Sequence, residues 1–240
     1  MERYTYDEDI IRLELSLIFL LDTSESMHGE RIKQLNLAMS KALRLAEKIS
    51  IDKEVIIPMR VVQFNTDAEW IYGNAEQGVR HIDWKDLTAG GTTNTAAAID
   101  KAIEVMHRSI LGTRNYKPVV ILITDGMSND PGETLQAIER LKKRLKGSRN
   151  PNADKIIRIA LGVAEANQDE LRAFASVGDI VDADGTEEKD VPFVFNVNDD
   201  DLLRNILLGN IVRIPPGIPP EPIVWDPIKD DEDDEDDWEI

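Results

Sequence analysis

Three short stretches hold the side chains with chemical potential. In "DTSES", Asp22, Ser24 and Ser26 sit at alternate positions directly after the apolar run "LIFLL". In "TDG", Asp125 follows a second apolar run, "VVILI", and "GGTTNT" places Thr92 and Thr93 after a glycine pair. All of these are hard oxygen donors, a set that suits Mg²⁺, or more weakly Mn²⁺ and Ca²⁺, and disfavours zinc or copper. The chain has no cysteine, and His28, His81 and His107 are scattered without the spacing of a zinc pair. Taken alone, "DTSES" also reads as a helix cap with Ser24 or Ser26 at the helix start.

For the three stretches to act together, the elements before them must end at one edge. "RLELSL" alternates and then becomes continuously apolar, as expected of a strand entering a sheet covered on both faces. Ile32, Leu35, Met39, Leu43 and Ala46 recur with helical period, and "MRVVQF" and "AEWIY" read as a hairpin-like strand pair, with Pro58 marking the start of the first. A helix follows on Ile99, Ala102, Ile103, Met106 and Ile110, then the buried strand "VVILIT". Asp130 is placed as an N-cap with Pro131 in the first turn and Glu133 as the capping-box acid, ahead of a stripe of Leu135, Ile138, Leu141 and Leu145. "IIRIALG" is a strand, "NQDELRAFA" a short helix capped by Asn167 and Glu170, "DIVDA" a short last strand, and "DDLLRNILLGNIV" a closing helix. Strands alternating with helices predict an α/β fold: a doubly wound, mostly parallel sheet with helices on both faces. In such sheets ligands bind at the carboxyl ends of the strands, where "DTSES" and "TDG" both fall.

"DTSES", the threonine of "GGTTNT" and "TDG", in this order, resemble the metal-ion-dependent adhesion site of von Willebrand factor type A domains. The resemblance spans roughly Leu13 to Leu208. It implies one antiparallel edge strand, with Ser24 and Ser26 as direct metal ligands, Asp22 and Asp125 as inner or water-mediated ligands, and Thr93 rather than Thr92 as the loop threonine. Glu25 departs from the pattern, in which many relatives carry glycine between the serines. Among relatives the chain is most similar to stand-alone prokaryotic proteins of the tellurite-resistance and stress-signalling type. That implies a non-enzymatic module whose divalent ion binds an aspartate or glutamate of a protein partner, in assemblies with kinase, phosphatase or ATPase components.

Composition narrows the alternatives. The 240 residues carry a net charge of -18, which argues against nucleic acid as main partner, since phosphate binding rests on lysine and arginine. No apolar run approaches the roughly 20 residues of a membrane span and no basic-then-apolar leader is evident, so a cytoplasmic protein without membrane contact is expected. Residues 226–240 hold ten acids and one lysine, half of the net charge. We expect residues 1–212 to form one domain, residues 213–225 a proline-rich linker and residues 226–240 an acidic, disordered tail. A regulatory module whose metal site is filled by its own acidic segment is one alternative. A metal-dependent phosphohydrolase is another, though those enzymes resemble Asp-x-Asp-x-Thr after strand one, and position 24 is serine. The basic run Arg140–Arg149 complements a helix C-terminus or docks the acidic tail.

Overall fold

The computed structural model describes residues 14–52, 54–106, 118–126, 128–146, 156–164, 166–181, 187–197 and 223–224. Five strands and a short sixth form the main sheet: β1 (Leu17–Asp22), β2 (Met59–Phe64), β3 (Ala68–Tyr72), β4 (Val119–Thr124), β5 (Ile157–Gly162) and β8 (Val194–Asn196). Their order is β3-β2-β1-β4-β5-β8, and only the β2–β3 pair is antiparallel. Four helices are described: α1 (Glu30–Asp52), α2 (Thr95–Val105), α3 (Pro131–Lys146) and α4 (Gln168–Phe174).

Period-2 geometry sends alternate residues of β1 to opposite faces. Leu17, Phe19 and Leu21 pack with Leu35, Met39 and Leu43 of α1. Ile18 and Leu20 pack on the other face with Ile99 and Ala102 of α2, Ile138 and Leu141 of α3, and Leu171 and Phe174 of α4. Both faces are therefore dry, which is why β1 and β4 are apolar up to their last residues, Asp22 and Thr124, and every residue in them is buried.

Four expectations need correction. "DIVDA" does not end the main sheet. It falls largely within β6 (Val177–Val181), which pairs with β7 (Glu187–Pro192) and β9 (Ile223–Val224) in a separate three-stranded sheet, while β8 takes the edge beside β5. β9 also puts two residues of the segment read as a linker into a strand. On α3 the buried stripe is Thr134, Ala137, Ile138 and Leu141, spaced i, i+3, i+4, i+7, so Leu135 turns outward and is 50% exposed. A buried threonine hydroxyl is tolerated because it donates to the Asp130 carbonyl at 3.0 Å. Lastly, the caps are half as expected. Asp130 Oδ1 accepts from the Glu133 amide at 2.9 Å and Asn167 Oδ1 from the amides of Asp169 and Glu170, but the Glu133 carboxylate bonds Arg140 and that of Glu170 bonds Ser128. The closing helix, the acidic tail, Ile110 and the side chain of Leu145 lie outside the described residues.

A candidate metal centre at the carboxyl edge of the sheet

β1 and β4 are adjacent and parallel, with Leu21 opposite Ile123, so "DTSES" and "TDG" emerge side by side. Asp22 is fully buried. Its Oδ1 accepts from the Ser24 amide at 2.8 Å and its Oδ2 from Thr124 Oγ1 at 2.5 Å. Burial pushes the Asp22 carboxyl above the usual range, and the charge of Asp125 adds to this; the bonds from Thr124 and Ser24 pull the other way.

From Asp22 the oxygens step outward. Ser24 Oγ lies 3.0 Å from Ser26 Oγ, and Ser26 Oγ donates to Asp125 Oδ1 at 2.8 Å. Ser24 is buried, Asp125 is 7% exposed and Ser26 is open to solvent, so the cluster has a mouth at Ser26. Neither serine hydroxyl is spent on a helix. Ser24 precedes a 3₁₀ turn, Glu25–Met27, and makes no side-chain capping bond, and α1 begins only at Glu30.

The third loop is laced to both others. The Gly90 amide donates to the Thr23 carbonyl at 2.8 Å and the Glu25 amide to the Gly91 carbonyl at 2.9 Å. The Thr93 carbonyl accepts from the Asn129 amide at 2.9 Å and from Ser128 Oγ at 3.2 Å, just beyond "TDG". Gly91 turns the loop with φ at +84°, where a Cβ would lie 2.8 Å from Thr66 Oγ1. The two threonines part company here: Thr93 is buried against the β4–α3 loop, whereas Thr92 is exposed and bonds Thr66. Asp22, Ser24, Ser26 and Asp125 thus lie together on one rim, and the loop that carries Thr93 is bonded alongside them.

Sequence reasoning missed three participants. Arg31 Nη1 donates to Asp125 Oδ2 at 2.6 Å and to the Ser26 carbonyl at 2.9 Å. Its signal was a cation in the first turn of a helix, where the macrodipole favours acids. Glu170 on α4 accepts from the Ser128 amide at 3.0 Å and props the β4–α3 loop from below. Burial and the nearby charge of Asp22 raise its carboxyl above the usual range, against the bond from Ser128. Thr124, given no role of its own within "TDG", donates to the Asp22 carboxylate. In the basic run, Arg140 is committed to Asp100 and Glu133.

The donor chemistry fits a hard divalent ion. Among the described residues no group of three His, Cys, Asp or Glu side chains could hold a metal, so the candidate set depends on hydroxyls beside two carboxylates. Uncharged oxygens of this kind suit a hard cation.

A family model of the von Willebrand factor type A domain matches residues 16–207, and the chain belongs to that family. The chain is 28% identical over 210 residues to mouse (Mus musculus) collagen alpha-5(VI) chain, covering 83% of this chain and 7% of that protein. It is 28% identical over 170 residues to chicken (Gallus gallus) matrilin-3, covering 68% and 34%. Each of these relatives is several-fold longer than the matched segment. Similar solved folds include a von Willebrand factor type A structure from Catenulispora acidiphila, with TM-score 0.54, 19% identity, and coverage of 83% of this chain and 43% of that one. Another is proximal thread matrix protein 1 from the mussel byssus, described with a zinc-occupied MIDAS motif (TM-score 0.54, 17% identity, 82% and 45% coverage). Among the described residues no helix is long and apolar enough to cross a membrane.

Proposed function

We propose that this rim is a metal-ion-dependent adhesion site through which the chain binds a protein partner that presents an aspartate or glutamate. The observation that carries the reading is the chain of oxygens from Ser24 through Ser26 to Asp125, at 3.0 and 2.8 Å, built from two strand ends and flanked by the Thr93 loop. Ser24, Ser26 and Thr93 would hold the ion directly, with Asp22 and Asp125 as inner or water-mediated ligands. When bound, a divalent cation supplies a coordination position with uncompensated positive charge that a carboxylate can fill.

The hard-oxygen donor set suits Mg²⁺ first, and Mn²⁺ or Ca²⁺ more weakly.

Binding rather than turnover is supported by Ser24, where an aspartyl phosphohydrolase would carry a second aspartate. The cysteine-free composition fits a reducing, cytoplasmic setting, and a general likeness to stand-alone prokaryotic relatives is the ground for placing the chain in a stress or signalling assembly. We expect Ser24→Ala and Asp22→Ala each to abolish saturable Mg²⁺ binding by calorimetry, and chelation to release partners that co-purify with the native chain. A partner retained through chelation and through both substitutions would refute the metal bridge.

A further inference from the structure

Arg31 occupies the place where the rim's negative charge meets solvent. Its Nη1 bridges Asp125 Oδ2 and the Ser26 carbonyl, at 2.6 and 2.9 Å, while Ser26 Oγ donates to the other oxygen of the same carboxylate at 2.8 Å. Both oxygens of Asp125 are thus engaged, and Arg31 staples "DTSES" to "TDG". The pair is asymmetric: the Asp125 side chain is 1% exposed, the Arg31 side chain 41%. The carboxylate cannot move into water without unmaking the rim, but the guanidinium can leave at small desolvation cost. Nor does α1 hold the arginine there, since a cation in a first helical turn opposes the macrodipole. Its neighbour Glu30 bonds Lys33.

We propose that Arg31 is a resident counter-cation that competes with the divalent ion for Asp125, and so sets the ion concentration at which the site loads. The proposal rests on the reading of the rim as a divalent-cation site. A guanidinium and a dication drawing on one carboxylate repel each other, so loading must displace Arg31 or weaken its contact. Displacement also frees the Ser26 carbonyl, coupling the outermost serine to the exchange.

The test is calorimetric titration of the full chain, stripped with EDTA, with MgCl₂ at low and high NaCl. Wild type is compared with Arg31→Gln, Arg31→Lys and the double variant Ser24→Ala/Ser26→Ala. Arg31→Gln should bind Mg²⁺ roughly tenfold more tightly than wild type, and the gap should narrow at high salt because the competing charge is half-exposed. Arg31→Lys keeps the charge but loses the planar fork, and should fall between the two. In EDTA, Arg31→Gln should melt below wild type, and saturating Mg²⁺ should close that difference. Equal or weaker Mg²⁺ binding by Arg31→Gln, with wild-type binding abolished in the double-serine variant, overturns the role of Arg31 alone. No saturable binding in any variant overturns both the role and the site.

Discussion

At the amino end of β1, Arg60 from the start of β2 is 3% exposed; its Nη1 donates to Ser16 Oγ at 2.9 Å and its Nε to the Asn74 carbonyl at 3.0 Å. At the carboxyl end of the same strand, Asp22 and Asp125 are buried among hydroxyls, with one guanidinium at the mouth. Both ends put charge-bearing groups into a dry interior. The amino end matches a cation to neutral acceptors that nothing outside needs to complete. Burial lowers the Arg60 guanidinium from its usual range, with Glu14 offsetting part of the effect. The carboxyl end has two formal negative charges against one positive, and it opens at Ser26. Both ends bury polarity, but of the two the carboxyl end combines a surplus of negative charge with an opening, the arrangement the proposed site needs.

The sharpest way to break this comparison is Arg60→Met. Leaving Ser16 Oγ and the Asn74 carbonyl without their donor should cost about 2–4 kcal/mol in urea unfolding, with Mg²⁺ affinity unchanged. A shift in Mg²⁺ affinity would mean that the two ends are not independent. Next in size is Gly91→Ala at the carboxyl end. Forcing a Cβ into the positive-φ turn against Thr66 should cost about 1–2 kcal/mol. It should also weaken Mg²⁺ binding, because the Gly91 carbonyl holds the Glu25 amide. If stability falls and Mg²⁺ affinity holds, the loop does not shape the rim.

The smallest expected effect concerns Glu170, whose carboxyl burial raises above the ordinary value. A folded-state value above the unfolded one means the folded chain binds the extra proton, so stability declines as pH rises from the ordinary carboxylate range through the raised value. Glu170→Gln removes this share of the decline while a side-chain oxygen remains to accept from Ser128. In EDTA, its urea midpoint should gain on that of wild type as pH rises from about 4 to 7. A constant difference across that range would sink the assignment.

Much of the fold was legible because its strongest signals are local. Continuous apolar runs at Leu17–Leu21 and Val119–Ile123 became the two central strands, and the stripe Leu35, Met39, Leu43 and Ala46 became the buried face of α1. Errors arose where a local rule met a tertiary partner. Leu135 looked like core until Thr134, bonded to the Asp130 carbonyl, took the inward position. Glu133 and Glu170 fitted the capping-box spacing, yet Arg140 and Ser128 were better partners than their own helix starts. "DIVDA" had strand composition, but composition does not say which sheet a strand joins.

By itself the sequence determined that aspartate and hydroxyl clusters follow two buried strands, because strand hydrophobicity and loop polarity are properties of adjacent residues. It also fixed their order, which is enough to place both clusters at one edge of a parallel sheet. Only the tertiary structure decided that Glu170 braces the β4–α3 loop and that Arg31 lies on Asp125. Those contacts join residues up to 94 positions apart, and their strength depends on distance and burial in space, which no spacing along the chain encodes.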